Sequence, residues 1–201
     1  LVRANNTVTW FAQSFNGASS EEVFNGIKII RRGNKYTVFF HAFLYYRSLK
    51  KKPDTVLDCV NTICWQTPLY VDKKRRILYA NQSAREVLFY DYPQPLSTLV
   101  FLLEPLQYLV YRTTRTICYS QSIKNDLTSF GIPKEKIDVF PLGIDHPRYK
   151  PGKKFSDPTF IFVSRFVKYK RADICIHAMK LVVEKFPKAK LYLIGYGREE
   201  K

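Results

Sequence analysis

The sequence predicts an α/β fold, in which parallel strands alternate with helices. Short β-rich runs alternate with longer helical patterns over the 201 residues, and a strand–helix–strand unit stands near the C-terminus. Hydrophobic residues make up 46% and charged residues 25%, so a packed core is expected and wholesale disorder is excluded. The length fits one ordinary domain or parts of two.

Elements in the first part of the chain are delimited by turn residues. Two β-rich runs flank a polar loop around Gly17 and Ser19, and the Pro53–Asp54 pair separates a helical pattern from the third strand. Pro93 ends the next helix. We therefore predict strands at 7–11, 27–30, 55–57 and 76–79, and helices at 39–49 and 83–90.

Further elements follow in the middle of the chain. Residues 96–111 are strongly apolar and predict a helix, and a strand follows at 116–119. The next helix begins at Ser122 and is capped at its C-terminal side by Gly131. The strand at 137–140 is closed by Pro141 and Gly143.

A linker is predicted at residues 143–158, which contain three prolines, two glycines and many charges. Beyond it, strands at 159–163 and 190–194 flank a helix at 171–186. The apolar face of that helix is predicted to be Ile174, Ala178, Leu181 and Val182. This organisation predicts two Rossmann-like lobes with a cleft between them. Their bounds are 1–146 and 147–201, and the second is present only as its first β-α-β unit.

The charge of the chain favours anionic partners. Lys and Arg number 33 against 17 Asp and Glu, for a formal net charge of +16. Basic runs at 50–52 and 73–76, together with many aromatic residues, are also typical of a basic nucleic-acid-binding module, which stays an alternative. No known nucleic-acid-binding motif appears in the sequence, and we expect no specific nucleic acid as a partner. Peripheral membrane contact through the same runs is a further interpretation, compatible with an enzyme. The apolar stretches are too short to span a bilayer.

The four cysteines form no C-x-x-C pair and do not cluster with the three histidines. We therefore expect buried, reduced thiols rather than a disulfide framework or a metal site.

The strongest candidate for chemistry is the basic run at 164–171. It follows a strand and leads into a helix, which is where open α/β sheets bind ligands and where helix N–H groups donate hydrogen bonds to phosphate. Arg165 can clamp phosphate oxygens with a bidentate fork, and Lys170 adds a mobile cation. Gly195 and Gly197 after the last strand would let the backbone approach a ligand. The alternatives are a solvated basic loop and an ordinary tight turn.

These motifs together resemble the donor lobe of GT-B glycosyltransferases of family GT4, in which a strand leads to G/S-R, then K-R/G and G-x-G. Upstream, residues 116–127 resemble the strand of that family and its S-x-x-x-K-x-D-L helix. Residues 132–145 resemble its P-x-x-K-I and P-N-G-V-D segment. The resemblance covers nearly the whole chain.

The resemblance implies a retaining sugar transfer from a nucleoside-diphosphate donor to a hydroxyl acceptor, without a metal or a cofactor. Arg165 and Lys170 match the residues that hold the diphosphate of the nucleotide sugar. Gly195 and Gly197 match the glycines beside the nucleotide. The implied partners are a nucleotide sugar and a carbohydrate or lipid-linked acceptor. The implied location is the cytoplasm, including the inner face of the membrane.

Asn81 falls where many members of the family carry a histidine near the reacting centre. An asparagine can hydrogen-bond a sugar hydroxyl, but it cannot shuttle a proton. The alternative is a loop amide satisfied by the backbone. Arg85 and Glu86 are further acceptor-side candidates, with a salt-bridged helix start as their alternative.

Two elements of the family are not found in the sequence. The first strand and glycine loop of the acceptor lobe would precede Leu1. The E-x₇-E pair that holds the donor sugar would follow Lys201, since no glutamate pair has that spacing here. We therefore expect an incomplete segment that is inactive by itself.

Overall fold

A computed structural model describes residues 1–200, with the side chains of all but Asp91. The chain divides into two compact units. One contains Leu1–Ala84 and Leu102–Leu142, and the other contains Arg85–Phe101 and the chain from Gly143 onward. Both units contain parallel strands and helices, so the predicted α/β class is confirmed.

A small sheet opens the first unit. Its strands β1 (Val8–Ala12), β2 (Glu21–Phe24) and β3 (Ile27–Arg31) lie in the order β1-β3-β2, and β2 is antiparallel to β3. The prediction of loop where β2 lies is wrong. Every residue of β2 is exposed, so no alternation marks it, and it forms because Asn25 and Gly26 adopt the positive φ that a tight hairpin needs.

The helix α1 (Val38–Ser48) confirms the helix predicted at 39–49. The side chain of Asn34 accepts the backbone N–H groups of Tyr36 and Thr37 at 2.9 and 3.1 Å, so the turn before α1 is held by a polar side chain. At the other end, Lys52 Nζ donates to the carbonyl oxygen of Leu49 at 2.9 Å and thereby covers free carbonyl groups.

The main sheet of the first unit is parallel throughout. Its strands are β4 (Val56–Val60), β5 (Arg76–Ala80), β6 (Arg115–Cys118) and β7 (Ile137–Val139), in that order. All four were predicted, and β4 continues three residues beyond its predicted end. One buried core covers this sheet and consists of Val60, Cys64, Leu78, Ala80, Tyr108, Tyr111, Cys118, Leu127, Phe130, Ile132 and Ile137.

Two predicted helices are shorter than their patterns. In place of residues 83–90 there is a 3-10 turn (Arg85–Val87) and then α2 (Leu88–Asp91). The φ of Arg85 is 42°, outside the right-handed α region, so the predicted α-helix does not run through that residue.

The apolar run 96–111 gives α3 (Leu96–Leu103) followed by a 3-10 helix (Glu104–Tyr111). Pro105 interrupts the run because it lacks the N–H that an α-helix needs. The helix α4 (Gln121–Ser129) matches the prediction. Ser120 caps it, and Gly131 follows it with a φ of +94°.

The second unit contains β8 (Thr159–Val163), α5 (Ala172–Lys185) and β9 (Lys190–Ile194), with the two strands parallel. Both strands match their predicted bounds. The predicted apolar face of α5 is wrong, since Ile174, Ala178 and Leu181 are exposed. The partly covered stripe is Ala172, Cys175, Met179 and Val182. The helix is apolar on more than one side, so hydrophobicity alone does not select the face.

The cysteines differ in exposure. All four are free; Cys64 and Cys118 are buried, Cys175 is partly covered and Cys59 is exposed. The predicted burial is wrong for Cys59 because side chains alternate along β4, and Asp58 and Val60 take the inward positions. Within residues 1–200, no helix is both long and apolar enough to cross a membrane.

Candidate functional site

The carboxyl edge of β8 and β9 holds the candidate donor site. Val163 pairs with Ile194 at the ends of the two strands, and the pairing continues beyond them. The N–H of Ser164 donates to the carbonyl oxygen of Ile194 at 3.1 Å, and the N–H of Phe166 donates to that of Tyr196 at 2.9 Å. The segments that carry Arg165 and the two glycines therefore run side by side at this edge.

Gly195 and Gly197 lie against the backbone that flanks Arg165. A Cβ atom at Gly195 would stand 1.8 Å from the carbonyl oxygen of Ser164, and one at Gly197 would stand 2.1 Å from that of Phe166. Any larger residue would force these segments apart, so the contact itself requires glycine. The predicted place of both glycines beside the nucleotide stays a prediction.

In the structure, the side chains of Arg165 and Lys170 both contact Tyr169. Arg165 Nη2 donates to Tyr169 Oη at 2.8 Å, and Lys170 Nζ lies 5.5 Å from the centre of the Tyr169 ring. Both cations are exposed, and Tyr169 is partly covered. The Tyr169 ring also contacts the ring of Tyr90, with 6.0 Å between the two ring centres. An exposed cation pair is thus held together by a tyrosine.

Tyr169 was not among the residues that we inferred from the sequence. A tyrosine between Lys168 and Lys170 is unremarkable in composition, because aromatic residues occur throughout the chain. The available signal was its position, one residue from one candidate cation and four from the other. Arg165 lies outside the 3-10 turn Lys168–Lys170, so helical spacing does not predict its contact with Tyr169.

The start of α5 already carries a carboxylate. Lys168–Lys170 form a 3-10 turn, Arg171 has a φ of 54°, and α5 begins only at Ala172. Asp173 lies in the first turn, where the hydrogen bond from Arg171 lowers the pKa of its carboxyl group. The chain's own anion therefore occupies this helix N-terminus. The phosphate-binding roles of Arg165 and Lys170 stay predictions.

A neutral polar cluster lies at the carboxyl edge of the main sheet. Asn61, Asn81 and Tyr119 follow directly after β4, β5 and β6. Asn81 Nδ2 donates to Asn61 Oδ1 at 3.1 Å, and the Tyr119 hydroxyl donates to Asn81 Oδ1. The side-chain amide of Asn81 is thus held by other side chains rather than by the backbone.

Tyr79 extends this cluster. Its ring lies 5.5 Å from that of Tyr119 in an edge-on contact, and its hydrogen bond with Tyr119 raises the pKa of Tyr79 to about 12. Amides and phenols of this kind are uncharged at neutral pH. The cluster offers hydrogen bonds to hydroxyl groups and no base that titrates near pH 7.

Arg85 and Glu86 belong to the second unit, whereas Asn81 belongs to the first. The guanidinium of Arg85 lies 4.5 Å from the centre of the Phe101 ring, and Glu86 is exposed. The stacking gives Arg85 a partner in its own unit. The acceptor-side roles of both residues stay predictions.

A buried carboxylate, Asp58, was also missed. It lies in the middle of β4 and is 1% exposed. It accepts hydrogen bonds from Thr67 Oγ1 at 2.8 Å, from the backbone N–H of Trp65 at 3.2 Å and from the Tyr111 hydroxyl. Burial raises the pKa of Asp58. An aspartate inside an otherwise apolar strand was the signal in the sequence, and its function is to hold the segment after β4.

The chain has the properties of α/β proteins that bind ligands where parallel strands end. The family model Glycosyltransferase Family 4 matches residues 1–148, and the model Glycosyl transferases group 1 matches residues 145–201. The chain belongs to Glycosyltransferase Family 4. It is a glycosyltransferase with the GT-B fold, as the motifs predicted. No curated protein matches the sequence.

Proposed function

We propose that the chain takes part in a retaining transfer of a sugar from a nucleoside-diphosphate donor to a hydroxyl acceptor. The observation that supports this proposal best is the pair of cations on Tyr169, at the edge where β8 and β9 end. Negative charge develops on the diphosphate as the sugar departs, and two fixed cations stabilise that charge. In this proposal the cations make a metal ion unnecessary, and no cofactor takes part.

On the acceptor side, we assign the cluster around Asn81 to binding a hydroxyl group of a carbohydrate or a lipid-linked acceptor. Asn61 and Tyr119 fix the orientation of the Asn81 amide, which supports this role. Because no group in the cluster is a base near pH 7, the acceptor proton must pass elsewhere. We assign it to the departing phosphate, which fits attack on the same face of the sugar. We place this reaction in the cytoplasm, including the inner face of the membrane.

The first test replaces each cation in turn. We expect Arg165→Ala and Lys170→Ala each to weaken nucleoside-diphosphate binding by about tenfold, because each removes a charge-assisted contact from an exposed site. Calorimetric titration with uridine, guanosine and adenosine diphosphates measures the effect. Binding is measured rather than turnover, because the 201 residues contain no E-x₇-E pair.

The matched control for these variants is Lys180→Ala, which removes an exposed lysine from α5 in the same unit. It should leave binding unchanged. Equal affinity of the parent and of both site variants would contradict the phosphate assignment. Binding of oligonucleotides with a steep salt dependence, unaffected by nucleoside diphosphates, would favour the nucleic-acid-binding alternative instead.

The second test separates the two contacts of Tyr169. Tyr169→Phe removes the hydrogen bond to Arg165 and keeps the ring under Lys170, so we expect about a threefold loss of diphosphate affinity. Tyr169→Ala removes both contacts and should cost about tenfold. The same titrations measure both variants. If the phenylalanine and alanine variants bind like the parent, Tyr169 does not position the cations.

A further inference from the structure

The first unit exposes an apolar surface along α1. Phe40 and Leu44 lie one turn apart and are 61% and 44% exposed. The Phe40 ring lies 6.4 Å from that of Phe43, which in turn lies 5.5 Å from the ring of Tyr70. The exposed side of α1 is therefore continuous with aromatic residues that belong to the segment after β4.

An open groove of about 400 Å³ continues this surface. Its lining includes Phe39, Phe43 and Tyr70, together with Ile63 and Leu69. Ile63 and Leu69 are 57% and 70% exposed. Aliphatic groups of this size gain free energy when hydrocarbon replaces water around them. The groove and the two exposed residues of α1 together form the apolar half of a candidate interaction surface.

Both chain segments that supply these apolar residues lead into basic runs. The helix α1 ends at Ser48 and is followed by the exposed residues Lys50 and Lys51. The segment that carries Leu69 continues to Lys73 and Lys74, which are also exposed. In the sequence, each of these two apolar segments is thus followed by a pair of exposed lysines.

The two basic runs lie next to each other in the fold. Val56 at the start of β4 pairs with Arg76 at the start of β5, so the residues before both strands meet at one edge. Arg75 Nη1 donates to the carbonyl oxygen of Pro53 at 2.7 Å and joins the two segments directly. Residues 47–54 and 72–76 contain eight cations and two carboxylates. This excess forms the basic half of the surface.

We propose that this apolar-basic face, formed by Phe40, Leu44, Ile63 and Leu69 with Lys50, Lys51, Lys73 and Lys74, binds the surface of an anionic lipid bilayer. Lysines near a bilayer are attracted by anionic headgroups, while apolar groups beside them enter the headgroup boundary. Leucine and isoleucine have no ring on which a base can stack, so Ile63 and Leu69 fit hydrocarbon better than nucleic acid, whereas the ring of Phe40 fits either. The inference does not depend on the proposed sugar transfer, because it uses neither Arg165 nor Lys170.

The test is co-sedimentation of the full chain with phosphatidylcholine vesicles that contain or lack phosphatidylglycerol. We expect binding to the anionic vesicles and at least about a tenfold loss of affinity in Lys50→Glu/Lys51→Glu and in Lys73→Glu/Lys74→Glu. The matched control is Lys153→Glu/Lys154→Glu, an exposed adjacent pair of lysines in the second unit with the same change of net charge. An equal loss in that control would show attraction by net charge alone and overturn the proposal.

A second double variant, Phe40→Ser/Leu44→Ser, tests the apolar half. Binding to anionic vesicles should fall severalfold, and the part that persists at high salt should be lost, because salt screens only the charges. Both positions are exposed, and thermal unfolding checks that the fold is retained. Unchanged binding of this variant would overturn the proposal. The proposal would also be overturned if the lysine variants lost binding to oligonucleotides but kept binding to anionic vesicles.

Discussion

Replacing Gly197 or Gly195 by alanine is expected to lower the free energy of unfolding of the second unit by about 3 kcal/mol and to weaken nucleoside-diphosphate binding by about tenfold, as much as the loss of Arg165. The new Cβ would stand 2.1 Å from the carbonyl oxygen of Phe166 in one case and 1.8 Å from that of Ser164 in the other. Such distances cannot be accommodated without moving backbone, which costs about 3 kcal/mol. Ser164 and Phe166 flank Arg165, so the movement displaces the guanidinium from Tyr169.

Gly152→Ala is the matched control for these two variants. A Cβ at Gly152 meets nothing within 4 Å, and its backbone is not among those with positive φ. It should therefore bind nucleoside diphosphates like the parent, and titration calorimetry with thermal unfolding measures all three variants. If Gly195→Ala and Gly197→Ala retain parental affinity, the pairing of the two post-strand segments does not position Arg165.

The strands at this edge could be predicted from the sequence because their signals are local. The five residues of β8 and of β9 are β-rich runs bounded by turn residues, and both have the predicted bounds. The reason for the two glycines could not be predicted. It depends on contact between backbones some thirty positions apart in the sequence, which no local pattern specifies.

The wrong helix and strand predictions share one physical cause: backbone geometry and strand pairing override the local hydrophobic pattern. Residues 96–111 are apolar enough for one long helix, yet α3 ends at Leu103, before Pro105. The strand β2 is exposed along its whole length and exists through pairing with β3, so its sequence carries no alternation. The hydrophobic pattern shows which residues are apolar, whereas the elements packed against them determine which of these residues are buried.

The sequence predicted only those parts of the candidate site that depend on local patterns. Arg165 and Lys170 could be inferred because a cation after a parallel strand is a local feature, and the structure joins them through Tyr169. Asn81 could be placed at the end of a strand, but its fixation by Asn61 and Tyr119 required the order of β4, β5 and β6 in the sheet. Contacts between residues far apart in the sequence depend on the strand order of the sheet, and no local sequence pattern specifies that order.

The largest expected effect on stability is that of Asp58→Ala. This change removes the acceptor of the hydrogen bonds from Tyr111, Thr67 and Trp65 inside the first unit. Each buried donor left without a partner costs about 1–3 kcal/mol, so we expect the free energy of unfolding to fall by about 3–4 kcal/mol. Urea denaturation measures the change. Asp54→Ala removes a fully exposed carboxylate and should change the free energy by no more than about 0.5 kcal/mol.

The pH dependence of stability tests the same carboxylate in another way. Burial raises the pKa of Asp58 in the folded chain above its unfolded value of about 3.9. The folded state then holds the proton more tightly than the unfolded state. The stability that this proton contributes is complete below about pH 4 and is lost as the pH rises through the folded pKa.

Asp58→Asn isolates this effect because an amide does not titrate there. The difference in the free energy of unfolding between the parent and this variant should decline from pH 4 to pH 7, as urea denaturation at each pH would show. Subtracting the variant cancels the contributions of the other carboxylates. A difference that grows with pH would mean that the hydrogen-bond donors around Asp58 outweigh burial and lower its pKa. Asp58 would then stabilise the fold as an ion rather than as a neutral acid.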